Sequence, residues 1–208
     1  MTNQTNDNQD KPGLHPPPPL DLDRRELPLK SFAAATIFYR VHKSKNDPIY
    51  FNNSGGGRLD TSEGVLYLGI DEYVAFRETI GRFNKYRLIS SEELEKRRMT
   101  EVKSSHALSL VDLTAEGLTL LDADNRLFTG NYKIAQQWSK AIQDHPSKPD
   151  GIYYRSRHDP SRFCIALYHQ VQIDSPLQVV KTNNFFSTQY SNKLDNILNK
   201  YRYGLNMI

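Results

Sequence analysis

Residues 64–81 read Gly64-Val65-Leu66-Tyr67-Leu68-Gly69-Ile70-Asp71-Glu72-Tyr73-Val74-Ala75-Phe76-Arg77-Glu78-Thr79-Ile80-Gly81. Two kinds of order meet here. Val65 to Leu68, closed by a glycine on each side, has the β-branched and aromatic content of a short, half-buried strand. Asp71 then offers a side-chain oxygen to the free N–H groups of a helix start, and the helix runs through Ala75, Glu78 and Ile80 to end near Gly81.

Working outward, Ala33 to Val41 reads as a strand in which Ile37, Tyr39 and Val41 alternate with Phe38, Arg40 and His42. Arg40 is therefore expected on the face opposite Tyr39. Between the two strands lies Asn52-Asn53-Ser54-Gly55-Gly56-Gly57-Arg58-Leu59-Asp60. Downstream, Ser90-Ser91-Glu92-Glu93 has the spacing of a capping box, and Glu95-Lys96-Arg97-Arg98 reads as a solvated helix face. Ser109 to Leu113 is strand-like. A helix from Asn131 puts Ile134, Ala135, Trp138, Ala141 and Ile142 on one side and exits at Pro146 and Pro149. Gly151 to Tyr154 and Phe163 to His169 read as strands flanking the polar turn Arg155-Ser156-Arg157-His158-Asp159. Tyr190, Leu194, Ile197, Leu198 and Tyr201 fall at helical spacing.

The chain has 208 residues, room for one domain with a full core. Its 27 Lys and Arg are offset by 24 Asp and Glu, a net charge of +3 spread along the chain, which does not call for nucleic-acid binding. The single cysteine, Cys164, excludes an intramolecular disulfide and, set in an apolar run, reads as a core thiol in a reducing compartment. No run approaches the roughly 20 apolar residues that cross a bilayer, and the first residues have no signal-peptide core. A cytoplasmic protein without a membrane segment is expected. Residues 1–28 are polar and proline-rich, with nothing evident to bury, and are expected to form a flexible leader before a single domain over 29–208.

The six histidines show no metal-ligand spacing, so no metal site is expected. The common phosphate loop, dinucleotide fingerprint and nucleophile elbow are missing too. What remains is a set of polar residues in unusual places. The three glycines can take positive φ and let a ligand approach the backbone, and Arg58 offers a planar fork suited to phosphate, although a plain glycine hairpin would be spelled the same way. Glu78 lies four residues before Arg82, the spacing of an exposed ion pair, and at the helix end where the dipole disfavours an anion. Ser156, between two arginines, reads equally as a turn residue.

Taken in order, Tyr39-Arg40-Val41, Gly56-Gly57-Arg58-Leu59, Val65-Leu66-Tyr67-Leu68, Ala75-Phe76-Arg77-Glu78 and Asp150-Gly151-Ile152-Tyr153-Tyr154-Arg155-Ser156-Arg157 are more specific than any one of them. The succession closely resembles the RES domain family, named for an arginine, a glutamate and a serine, matched here by Arg40, Glu78 and Ser156. The resemblance spans Phe38 to Tyr168. It implies an α+β fold, ADP-ribosyltransferase-like, with a mixed core of split β-sheets and peripheral helices.

It further implies an NAD⁺-degrading enzyme that cleaves the nicotinamide–ribose bond, as an NAD⁺ phosphorylase passing ADP-ribose to inorganic phosphate or as an NAD⁺ glycohydrolase. NAD⁺ is then substrate, and no cofactor is implied. The family's toxins are held by helix-turn-helix antitoxins, so such a partner is expected; a homo-oligomer is left open. The alternative is an ADP-ribosyltransferase acting on a protein or nucleic acid, but many arginine-directed ones carry Glu-x-Glu, and here Phe76 stands two before Glu78. The resemblance makes Arg40, Glu78 and Ser156 the catalytic candidates. Glu78 would stabilise an oxocarbenium-like ribose. Arg40, Arg58 and the backbone at Gly57 would hold the diphosphate. Tyr67 would stack on nicotinamide and orient it with its hydroxyl, Tyr39 would do likewise, Ser156 would bond the ribose or a phosphate, and Arg157 is a neighbour on the same turn.

Overall fold

Strand β3 (Val65–Gly69) shows how alternation along the chain becomes layers in space. In the computed structural model, which describes residues 15–83, 86–174 and 176–206, Val65 and Tyr67 face one apolar cluster while Leu66 and Leu68 face another. Strand β8 (Phe163–Tyr168) pairs antiparallel with it and repeats the pattern, Ala166 and Tyr168 to one side, Ile165 and Leu167 to the other. The remaining strands are β1 (Leu29–Phe32), β2 (Ile37–Lys43), β4 (Leu88–Ser90), β5 (Arg97–Ser104), β6 (Leu108–Leu113), β7 (Gly151–Arg155), β9 (Leu177–Asn183) and β10 (Gly204–Asn206). The main sheet runs β1-β6-β7-β8-β3-β2-β5-β9, antiparallel except for β6 with β7, and β4 with β10 forms a separate parallel pair.

That sheet is held unevenly. Strand β2 meets β5 through seven residue pairs but meets β3 only where Tyr39 lies opposite Gly69. The sheet is therefore splayed between β2 and β3, the split core expected of the fold. Helix α1 (Glu72–Thr79) packs against both strands at this gap. Its start is fixed as the sequence implies, Asp71 Oδ1 accepting from the Val74 amide at 2.9 Å. Gly69 is needed for the approach: a Cβ there would lie 2.7 Å from Val74 Cγ1 and 2.8 Å from the Ala75 nitrogen.

The short helices α2 (Ser91–Glu95), α3 (Ala115–Leu120), α4 (Arg126–Thr129) and α6 (Gln170–Asp174) are connectors. Helix α5 (Tyr132–Gln143) buries Ala135, Trp138 and Ile142, and α7 (Ser191–Tyr201) buries Leu194, Ile197 and Leu198 against Phe76 of α1. Cys164 is buried.

Three expectations are corrected. Arg97 and Arg98 open strand β5 rather than extending a helix face; Met99, Thr100, Val102 and Ser104 are its buried positions, and Thr and Ser among them blurred the apolar signal. Ser90 occupies the N-cap of α2 but makes no capping bond. The third concerns the leader, of which residues 1–14 lie outside the described residues. Residues 15–28 pack on the domain: His15, Leu22 and Leu27 are buried, and the Pro16 carbonyl accepts from the indole N–H of buried Trp138 at 3.0 Å. An indole N–H sealed in a core needs an acceptor, and a proline carbonyl provides one at no cost in donors.

His15 is held by the same logic. Its Nδ1 donates to the Pro16 carbonyl and its Nε2 accepts from the Asp124 amide, so protonating Nε2 would break a bond, and burial lowers its pKa. His42 is lowered by burial too, its Nε2 facing Thr100 Oγ1 at 2.8 Å. In both cases the unfolded chain takes up a proton first, so stability is full above the ordinary value of 6.5 and falls as pH drops through it. Urea unfolding at stepped pH should show this decline between neutrality and mild acid, and a flat profile would contradict the neutral assignment. Leu22→Ala should cost about 2–4 kcal/mol in the same assay, against almost nothing for a solvated leader.

Candidate active site

The gap between β2 and β3 opens into a cleft of about 440 Å³ lined by Tyr39, Arg40, Tyr67, Glu78, Arg157 and His158 together with Arg58 and Tyr154. Arg40 comes from β2, Tyr67 from β3, Glu78 from the last turn of α1, and Ser156 from the turn after β7. Arg40 and Glu78 thus reach one cleft from two elements, and Ser156 touches Glu78 from a third.

Glu78 and Ser156 are in contact. The Ser156 hydroxyl donates to Glu78 Oε1 at 2.5 Å. The same oxygen of Ser156 accepts from the amides of His158 (3.2 Å) and Asp159 (2.9 Å), so its lone pairs are taken and its one proton is directed at the carboxylate. Ser156 is itself buried. The hydroxyl expected to bond ribose or phosphate is, in this geometry, committed to Glu78. The turn is tied to the helix a second time, since Arg162 bridges Asp71, the α1 N-cap, and Asp159. His158 completes the carboxylate's surroundings, its Nε2 4.0 Å from Glu78 Oε2; burial lowers its pKa and Glu78 opposes that.

The opposite wall is cationic. Arg40 Nη1 donates to the carbonyls of Pro48 (2.5 Å) and Tyr50 (3.2 Å), anchoring the loop after β2. Burial lowers its pKa to about 10, which still leaves it charged at neutral pH. Arg58 donates to the Gly130 carbonyl at 2.8 Å and lies over the Tyr132 ring at 4.2 Å. Both guanidinium groups are thus oriented by carbonyls, which hold them without neutralising them.

The glycine loop is built differently from expectation. Of its three glycines only Gly55 has positive φ, at 75°. Buried Asp60 organises the loop, accepting from the Gly57 amide (2.8 Å), Asn52 Nδ2 (2.6 Å) and the Tyr67 hydroxyl (2.8 Å). The Gly56 amide turns to Ser54 Oγ. These two amides are spent inside the loop, while Arg58 lines the cleft. Gly57 is required for room, since a Cβ would sit 2.2 Å from Asp60 Oδ1. The Tyr67 hydroxyl also accepts from the Leu59 amide, and with burial and Asp60 raising its pKa far above the ordinary value it stays protonated. Tyr67 therefore presents its ring to the cleft while its hydroxyl holds the loop.

Asp60 and His158 were within stretches quoted from the sequence yet carried no assigned role; one lies two residues after Arg58, the other two after Ser156. Tyr154, stacked on Phe128 at 5.3 Å, was likewise missed. Cys164 lines the same cleft, but burial and then Glu78 push its thiol well up, so it is no ready nucleophile. Among the described residues no three of His, Cys, Asp and Glu are grouped to hold a metal ion, and no helix is long and apolar enough to cross a membrane.

A splayed α+β sheet whose cleft is lined by a hydroxyl-held carboxylate and carbonyl-oriented arginines has the chemistry to suit an anionic ligand beside an acidic side chain. The RES domain model matches residues 37–185, most of the chain, and the chain belongs to that family. No curated protein matches it. Among solved structures, the M. tuberculosis MbcT-MbcA toxin-antitoxin complex contains a chain of similar fold, with a TM-score of 0.61 at 15% identity, covering 79% of this chain and 92% of that one.

Tyr67→Phe should leave a buried Leu59 amide and Asp60 oxygen unpaired and cost about 1–3 kcal/mol. Gly57→Ala should be at least as damaging, because Asp60 and Tyr67 must both move. Thermal melts of the two variants check this; unchanged midpoints would show that the loop is not held by Asp60.

Proposed function

We propose that this protein cleaves the bond between nicotinamide and ribose in NAD⁺, acting as an NAD⁺ phosphorylase or an NAD⁺ glycohydrolase. The observation that carries the reading is the Glu78 carboxylate, fixed by a hydroxyl whose proton has no other acceptor, across a cleft from Arg40 and Arg58. In this reaction the C1′–N bond breaks, its electron pair neutralises the pyridinium nitrogen, and positive charge develops on the ribose. A fixed carboxylate beside that ribose favours the transition state over the ground state. An oxygen of phosphate or water then forms the new bond to C1′.

The arginines suit the diphosphate, and the rings of Tyr67 and Tyr39 suit the flat ends of the dinucleotide. Phe76, two residues before Glu78, is fully buried in the core, so the cleft has no second carboxylate at that position. This favours a small acceptor over modification of an arginine on a macromolecule. The likeness in fold to a chain of a toxin–antitoxin complex supports the further reading that this chain is the toxin of such a pair; the family resemblance would make its antitoxin one of the helix-turn-helix kind.

Phosphorus NMR of NAD⁺ incubated with the protein, with and without inorganic phosphate, tests the reaction. An ADP-ribose phosphate ester formed only with phosphate identifies a phosphorylase, free ADP-ribose in both identifies a glycohydrolase, and intact NAD⁺ in both overturns the proposal. Glu78→Gln, which keeps the acceptor for Ser156, should fold and lose about 100-fold or more in turnover. Arg40→Ala should raise KM, and Ser156→Ala should lower kcat about tenfold with little change in KM. Expression of the wild-type chain should arrest growth and expression of Glu78→Gln should not; equal arrest would separate toxicity from this site.

A further inference from the structure

Next to the first cleft, sharing Arg82 and His158 with it, lies a second cavity of about 790 Å³, lined chiefly by polar groups. Four segments meet there: Arg77 in α1 with Arg82 in the turn after it, Arg87 just before β4, His158 to Pro160 after β7, and Lys200 and Arg202 at the end of α7. The frame is rigid. The Gly204 amide donates to the Arg87 carbonyl at 2.8 Å, and the Arg77 guanidinium donates to the Gly81 carbonyl (2.7 Å), the His158 carbonyl (3.0 Å) and the Tyr203 hydroxyl.

The charge is one-sided. Among the described residues the only carboxylate lining the cavity is Asp159, and its oxygens are already engaged by Ser161, Tyr201 and Arg162. Arg77 is held by carbonyls and a phenol, Lys200 lies near the rings of Tyr73 and Tyr201, and Arg87 and Arg202 are exposed. Cations concentrated in a concave surface repel one another and focus a positive potential that an anion would relieve. On His158, which lines both cavities, burial lowers the pKa first, Glu78 opposes that, and Arg157, Arg77 and Arg82 add to the lowering.

Arg87 and Arg202 are two of the six non-glycine residues with positive φ among the described residues. Both have φ of 54°, in the left-handed region where a glycine or asparagine would sit without strain. Long basic side chains stand at two turns whose backbone favours another residue. From this convergence we propose that the cavity is a binding site for a small oligophosphate, the phosphate chain being the recognised group. The site is distinct from the cleft holding Glu78 but shares Arg82 and His158 with it. The inference does not depend on the reaction proposed above.

Titration calorimetry with sodium tripolyphosphate, at fixed ionic strength, tests it on the full chain. Saturable binding is expected, weakening by about tenfold or more in the double variant Arg87→Gly, Arg202→Gly, whose backbone should relax rather than unfold. Lys200→Gln gives a second variant outside the strained turns and should also weaken binding. Arg58→Ala, altered only in the other cleft, removes anion binding there and should keep the binding that Arg87, Lys200 and Arg202 carry. ATP and tripolyphosphate distinguish the sources: equal affinity makes the free chain of phosphates sufficient, and tighter ATP adds a nucleoside contact, both in keeping with the site. Binding lost in Arg58→Ala and kept in the double variant would place the anion in the first cleft and overturn the proposal, as would the absence of saturable binding.

Discussion

The sheet is joined between β2 and β3 at a single residue pair, Tyr39 with Gly69, and the rest of the molecule is arranged around that weakness. Backbone groups that do not pair across the gap must be met by something else, and a cleft with polar walls is one answer. Helix α1 wedges where the strands diverge, and its approach depends on the missing Cβ of Gly69. Glu78 rides on the last turn of that wedge. A ladder with full pairing would leave no room for the helix and would bring Arg40 and Tyr67 too close for a ligand between them.

Orientation inside the cleft is supplied by neutral partners. Ser156 holds Glu78 with one hydroxyl proton, and backbone carbonyls hold Arg40 and Arg58. Had the carboxylate been held by an arginine, its field would have been largely cancelled; a hydroxyl fixes direction and leaves the charge available. The loop with the glycines follows the same economy, with Asp60 gathering three donors so that the ring of Tyr67 is fixed beside the cleft.

What could be read from the sequence was what repeats or caps. The alternation of β3 and β8, Asp71 at the start of α1, and the apolar face of α5 follow from local chemistry, and the family motifs brought Arg40, Glu78 and Ser156 together. Contacts between distant segments were not legible. Strand β5 hides its buried face behind Thr100 and Ser104, the segment holding Leu22 and Leu27 becomes structural only once Trp138 needs an acceptor, and Asp60 looks like any loop acid until Tyr67 lies above it. The expectation that the glycine amides wait for a ligand failed because a nearer acceptor, Asp60, was eight residues from Asn52 and three from Gly57.

The bond between Arg77 and Tyr203 spans 126 residues of chain. Because a ribosome delivers residues in order, at roughly 5–20 per second, the helix that carries Glu78 emerges well before the segment that braces it from behind. Strand β10 likewise finds its parallel partner β4 only after α7 has been made. During synthesis the wall that carries Glu78 is therefore the late-assembled part of the domain, and a nascent chain long enough to fold β3 and α1 still lacks the segment that ties Arg77 from behind.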